Sequence, residues 1–311
     1  MGTRHRSQST FTRRDVLRLA AAAGAALPLR SLGAGEAIRT RQIPSSGEAI
    51  PVIGLGTSGT FEVGADAAAR AGPRAVLEQF VAAGGRVVDT SPMYGSAERV
   101  VGDLAAELGV ANRIFYATKV WTEGREDGIE QMQRSMERLR APQIDLMQVH
   151  NLVDTAAHLR TLREWKDQGK IRYIGITHYH EGAYDDLSQW LRNERLDFVQ
   201  LNYSIAEREA EDELLPLAAE RGVAVLVNRP FARGGLFRAV RGKPLPEWAA
   251  EFDCHSWAQF FLKYLLGNPA VTCPIPATSK PKHLADNMGA AFGALPDAAQ
   301  RQRMVAHLES M

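Results

Sequence analysis

The sequence predicts an α/β protein, a (β/α)8 TIM barrel with an N-terminal β-hairpin, and three observations carry that reading. Eight short apolar or β-branched runs recur along the chain, amphipathic helical patterns fill the stretches between them, and no Gly-x-Gly-x-x-Gly turn opens the first unit. Strands alternating with helices make a parallel sheet joined by helical crossovers, and eight such units close into a barrel. An open doubly wound sheet is the alternative, but Gly54-Leu55-Gly56-Thr57 lacks the third glycine of its dinucleotide turn.

Taken in order, residues 1–37 read as a leader and 38–311 as the barrel. Six arginines (4, 6, 13, 14, 18 and 30) stand against Asp15 and Glu36 in the leader, a local charge of +4 in a chain whose formal net charge is +1. Arg13-Arg14 precede an alanine- and leucine-rich run at 19–29, too short for a membrane helix, which needs about 20 residues, but suited to a signal peptide. The leader resembles a twin-arginine (Tat) export signal, with small residues at Gly35 and Ala37 ahead of Ile38 for cleavage. The resemblance implies folding in the cytoplasm, recognition by the twin-arginine export machinery, and a periplasmic or otherwise exported mature protein.

Residues 38–48, with a turn at 44–47, read as a hairpin that plugs the bottom of the barrel. The strand runs are 52–54, 86–89, 114–117, 145–150, 173–176, 198–201, 223–227 and 271–275. Helical spacing marks 72–83, 97–109, 127–140, 156–168, 209–221 and 256–267. The longest connection follows the seventh strand and carries Arg229-Pro230-Phe231-Ala232-Arg233-Gly234-Gly235; long loops at that face of a barrel are usually functional. A short charged helix at 296–311 leaves no long tail to enclose a substrate, which favours an open pocket and broad or bulky substrates.

Beyond the leader the balance is slightly acidic, so no nucleic-acid partner is expected, and no later apolar run is long enough to span a membrane. Cys254 and Cys273 make no disulfide framework and lack zinc spacing; His178 and His180 have no third ligand beside them, so no metal is expected. Oligomeric state is not fixed by the sequence, the monomer being favoured.

Chemistry-bearing residues cluster at the C-terminal ends of three consecutive strand runs: Asp89, Tyr94 five residues on, Lys119 and His150. Barrel active sites lie at that face. Singly, each has a bland explanation, a turn cap, a loop ring, a solvated amine and a core imidazole. Together, an acid, a phenol, an ammonium and an imidazole on adjacent strands point to proton transfer.

Here the sequence resembles the aldo-keto reductase family through Asp89-Thr90-Ser91-Pro92-Met93-Tyr94-Gly95, Thr118-Lys119, Val149-His150, Gly175-Ile176-Thr177-His178, Gln200-Leu201-Asn202-Tyr203 and Ile275-Pro276-Ala277-Thr278. The resemblance implies that Asp89, Tyr94, Lys119 and His150 form a catalytic tetrad. It implies an NAD(P)H-dependent oxidoreductase reducing an aldehyde or ketone by hydride transfer, with Tyr94 as general acid. In that chemistry a nearby ammonium lowers the pKa of the phenol, Asp89 keeps the buried Lys119 charged, and His150 donates a hydrogen bond to the carbonyl.

The resemblance also implies cofactor contacts from Gly56 and Thr57, from Thr177, His178 and Gln200 at the nicotinamide carboxamide, and from Asn228, Arg229 and Phe231. Thr278, Ser279, Lys280, His283 and Asn287 match the segment that grips the adenosine end. Asn228 stands where many members carry a ring that stacks on the nicotinamide, a part Phe231 or Tyr203 would have to take. Lys280 suits a 2′-phosphate, which favours NADP(H) over NAD(H). Trp121 matches a substrate-pocket ring. A competing reading is an exported protein that keeps the cofactor as a binding or regulatory module with little turnover.

Overall fold

The computed structural model describes residues 37–311, so the leader lies outside the described residues. Strands β1 (Thr40–Gln42) and β2 (Ala49–Pro51) pair antiparallel as the expected hairpin. The parallel barrel strands follow: β3 (Leu55–Gly56), β4 (Val87–Asp89), β5 (Phe115–Val120), β6 (Ile144–His150), β7 (Ile171–Thr177), β8 (Phe198–Asn202), β9 (Ala224–Asn228) and β10 (Val271–Pro274). Each pairs with its sequence neighbour, as crossover connections require. The ring closes where Gly54 N donates to Pro274 O (3.0 Å) and Gly56 N to Pro276 O (3.2 Å), beside a parallel bridge from Gly56 to Ala277. Gly56 is needed there, since a Cβ would stand 2.7 Å from the Ile275 carbonyl oxygen.

The crossover and flanking helices are α1 (Ala67–Ala82), α2 (Ala97–Glu107), α3 (Arg125–Leu139), α4 (Thr155–Asp167), α5 (Tyr184–Asn193), α6 (Leu214–Glu220), α7 (Gly235–Ala239), α8 (Trp257–Leu266), α9 (Pro281–Gly289) and α10 (Ala298–Glu309). Among the boundaries that differ from the sequence expectation, two at the start of the barrel have a local physical cause. Helix α1 starts well before 72, because the Asp66 side chain accepts from Ala69 N at 2.8 Å and caps it there, carrying Pro73 inside the helix. The first barrel strand pairs at 55–56 and not at 52–54, because Val52 N still donates to Arg39 O in continuation of the hairpin.

Period-two alternation divides each strand into an outward side that packs on helices and an inward side that fills the barrel. Near the strand starts the inward residues are apolar: Val87, Phe115, Leu146, Tyr173, Phe198 and Ala224 form one buried cluster with Ile43 and Ile50 of the hairpin. The hairpin therefore plugs the bottom. Arg41 anchors it by donating to the carbonyls of Leu266, Asn268 and Val271, and Arg39 N donates to Ala291 O at 3.1 Å. Towards the strand ends the same inward rows turn polar, passing through Asp89, Lys119, Gln148, His150, Thr177 and Gln200, all buried. An apolar plug below and a polar layer above confine chemistry to the C-terminal mouth.

Candidate active site

The polar layer is a connected network. Asp89 ends β4 and is 2% exposed. Its Oδ1 accepts from Lys119 Nζ at 2.7 Å, and its Oδ2 accepts from Gln200 Nε2 at 2.8 Å and Gln148 Nε2 at 3.3 Å. Lys119 lies inside β5, in register with Gln148, fully buried, and also donates to Thr90 O at 2.7 Å. Burial works to strip its proton, but the Asp89 carboxylate and the Tyr94 phenol outweigh that and raise its pKa. It is an ammonium throughout the neutral range.

Tyr94 comes from the loop after β4, whose turn is closed by Tyr94 N donating to Ser91 O at 3.0 Å. The Lys119 ammonium is 5.1 Å from the centroid of its ring. The expected lowering of the phenol pKa is corrected here: burial raises it by more than Lys119 lowers it, and Asp89 adds to the rise. Tyr94 is thus a neutral phenol, with its proton in place. His150 ends β6 with its ring 6.0 Å from that of Tyr94, edge to face at 88°. Burial first, then the charge of Lys119 and then His178, push its pKa down to about 2. The imidazole is neutral, and its Nδ1 lies 3.0 Å from Ser91 Oγ. With Ser91 donating to Nδ1, the proton sits on Nε2.

Tyr94, His150 and Asp89 line a cavity of about 730 Å³ at the barrel mouth. Of the residues singled out in the sequence, Gly56, Thr57, Thr177, Gln200, Asn228, Arg229 and Phe231 line it, and so does Trp121. Lys119 is behind this wall. His178 is not on it: its ring packs on Tyr179 and His180, its Nδ1 accepts from Tyr179 N, and its carbonyl accepts from Asn228 Nδ2 at 3.0 Å. Thr278, Ser279, Lys280, His283 and Asn287 also stand off the cavity wall, where β10 leads into α9. Tyr203 cannot serve as a stacking ring there. It is fully buried, its hydroxyl bonded to Glu211 and Arg301 beneath α10. Phe231 is on the wall, its ring 4.8 Å from that of Phe237.

Several functional-looking residues escaped the sequence reading. Gln148 shares the inward row of β6 with His150, two residues away, and strand alternation alone could have found it. Asn151 and Tyr179 lie in loops, where no periodicity points. The carboxamide oxygens of Asn151 and Asn228 are buried, without a partner among the described residues, in residues on the cavity wall.

Groups so arranged can pass a proton to an oxygen held between phenol and imidazole, which makes this the site of a barrel enzyme for small polar molecules. Comparison narrows the class. The sequence profile of the aldo/keto reductase family matches residues 52–307. The aldo-keto reductase YhdN of Bacillus subtilis is 30% identical over 220 residues, 65% of this chain and 63% of its own length, so this alignment spans less than two thirds of that relative. The methylglyoxal reductase YeaE of Escherichia coli is 28% identical over 80% of this chain and 89% of its own. In fold, the chain is similar to an aldo/keto reductase from Klebsiella pneumoniae in complex with NADP and acetate, with a TM-score of 0.74, 24% identity, and 88% and 96% of the two chains covered. The chain belongs to the aldo/keto reductase family.

Proposed function

We propose that the protein reduces an aldehyde or ketone with a reduced nicotinamide cofactor, NADPH ahead of NADH. In this reading Tyr94 is the general acid and His150 the group that orients the carbonyl. The observation that carries it is the convergence of a protonated phenol and a neutral imidazole on one cavity, with the Lys119–Asp89 pair behind the phenol. Reduction builds negative charge on the carbonyl oxygen. His150 Nε2–H meets that oxygen as a hydrogen-bond donor, Tyr94 gives it a proton, and Lys119 stabilises the phenolate left behind. Asp89 keeps Lys119 charged and in place.

The residues present fit the cofactor. The orphaned Asn228 oxygen is a free acceptor beside Thr177 and Gln200, as a carboxamide N–H requires. When bound, the reduced nicotinamide supplies the hydride. Gln200 already donates to Asp89 and accepts from Thr177, so Asn228 takes the part expected of His178. The Klebsiella pneumoniae structure of like fold holds NADP, which supports the same cofactor here. Thr278, Ser279, Lys280, His283 and Asn287 would grip the adenosine end. Lys280 is exposed at the N-cap of α9 and suits the 2′-phosphate, so Lys280→Ala is expected to lower the NADPH-to-NADH affinity ratio by roughly tenfold or more, read by fluorescence titration. An unchanged ratio removes Lys280 from the argument.

Methylglyoxal, named for the Escherichia coli relative, is the first aldehyde to try. Steady NADPH consumption with it or another simple aldehyde supports the reductase. Tight cofactor retention with no turnover of any aldehyde overturns it in favour of a binding module.

The same proposal includes export after folding in the cytoplasm, supported by Arg13-Arg14 ahead of the apolar run. Replacing both with lysine is expected to hold the precursor in the cytoplasm, as fractionation and immunoblotting would show. Normal export of that variant sinks the twin-arginine reading.

A further inference from the structure

Ser91-Pro92-Met93-Tyr94 has the residue order of a β-turn, with serine opening it and proline second, where its fixed φ suits the turn. Tyr94 N closes the turn by donating to Ser91 O at 3.0 Å, and Met93 N donates to Ser91 Oγ at 3.3 Å. The same hydroxyl oxygen lies 3.0 Å from Nδ1 of His150, at the end of β6. These are its two partners among the described residues, and Ser91 is fully buried. An amide N–H only donates, so the hydroxyl proton has one acceptor, His150 Nδ1, and that nitrogen must carry no proton of its own. The opposite tautomer would leave the hydroxyl proton buried without an acceptor, which is costly. The backbone of His150 is already held by its register with Thr177 and by Asn151 N donating to Thr177 O at 2.8 Å. What remains to be set is the ring and the place of its proton.

We propose that Ser91 is a positioning residue for carbonyl reduction: its carbonyl sets Tyr94, and its hydroxyl fixes His150 as the Nε2–H tautomer. The proposal rests on the reductase reading and deepens it, since Ser91 lies outside the four residues of that mechanism. Phenol and imidazole have to meet one oxygen atom from two elements, the loop after β4 and the end of β6, with their rings 6.0 Å apart and edge to face. Ser91 links those elements directly. With the proton on Nδ1, Nε2 would turn a lone pair towards the carbonyl oxygen and oppose the charge that builds there. An imidazole is an oxyanion donor in one tautomer only, and the hydroxyl selects it.

The test reads the tautomer first. With ¹⁵N-labelled histidine in the whole protein at neutral pH, long-range ¹H–¹⁵N correlation shows which ring nitrogen of His150 carries the proton, its signals being assigned by their loss in His150→Ala. The wild type is expected to be Nε2–H, and an Nδ1–H ring overturns the proposal. In Ser91→Ala the Nδ1–H fraction should rise, whereas Ser91→Thr keeps a hydroxyl and should hold the wild-type tautomer. A Ser91→Ala ring identical to wild type also overturns the proposal. In steady-state kinetics Ser91→Ala is expected to lower kcat by about tenfold or more with the KM for NADPH nearly unchanged, and Ser91→Thr to recover most of that loss. Added to His150→Ala, Ser91→Ala should cost less than about twofold more, because its partner is gone. An undiminished loss in that background means that Ser91 only braces the turn, and overturns the proposal. If no aldehyde is reduced, the reductase reading fails separately, and the tautomers of wild type and Ser91→Ala still decide the part of Ser91.

Discussion

Tyr94→Phe is expected to lower kcat for carbonyl reduction by about 100- to 10,000-fold, the usual contribution of a positioned general acid, with cofactor affinity nearly unchanged. The substitution removes one oxygen, and the ring keeps its packing against His150. Stopped-flow reduction and cofactor fluorescence titration separate the two effects. Because burial places the phenol pKa above its ordinary 10.0, wild-type reduction should be flat through neutral pH and fall only as alkaline pH removes the proton. His150, neutral down to about pH 2, adds no inflection between. A Tyr94→Phe protein reducing aldehydes at close to the wild-type rate would end the mechanism proposed here.

Lys119→Met is expected to damage stability as well as rate. It leaves Asp89 as a carboxylate that is 2% exposed and has lost its ion-pair partner, and breaking a buried pair from one side costs about 3–5 kcal/mol. Gln200 and Gln148 still donate to Asp89, which favours the lower end of that range. In the wild type the raised Lys119 pKa keeps the pair's contribution complete below the ordinary 10.5, and it is lost only as pH rises beyond that value. The deficit is read by urea unfolding at pH 8. Adding Asp89→Asn should restore much of the stability and none of the rate, a less than additive result. A Lys119→Met protein as stable as wild type at pH 8 would contradict this account of the network.

How far the sequence disclosed these features depends on the reach of each interaction. The eight strands and their order were legible because apolar runs and crossover helices are local patterns. Strand β5 read as 114–117 because Thr118 and Lys119 break the apolar run; the strand continues to Val120, since buried ion pairing replaces apolar burial there. Helix α5 was passed over although Tyr184, Leu187, Trp190 and Leu191 keep helical spacing, whereas α9 opens on Pro281 and is short. The tetrad was legible by type and resemblance. The direction of the Tyr94 pKa was not, because it turns on how deeply the phenol is buried against how strongly Lys119 pulls. His178 lies off the cavity wall for a simpler reason: alternation turns Thr177 inward, so the next side chain leaves the barrel interior.

The hairpin that seals the barrel floor also constrains the timing of synthesis. Ile43 and Ile50 are made early, yet Arg41 finds its carbonyl partners only at Leu266, Asn268 and Val271, and Arg39 only at Ala291 and Gly293. At about 5–20 residues per second, a ribosome needs roughly ten to fifty seconds to cover that interval. Over that time the hairpin's apolar face meets its floor strand by strand, from Val87 to Ala224, while its arginine anchors still lack their carbonyls. Locking it in place belongs to the last stage of assembly, when the C-terminal quarter of the chain is released.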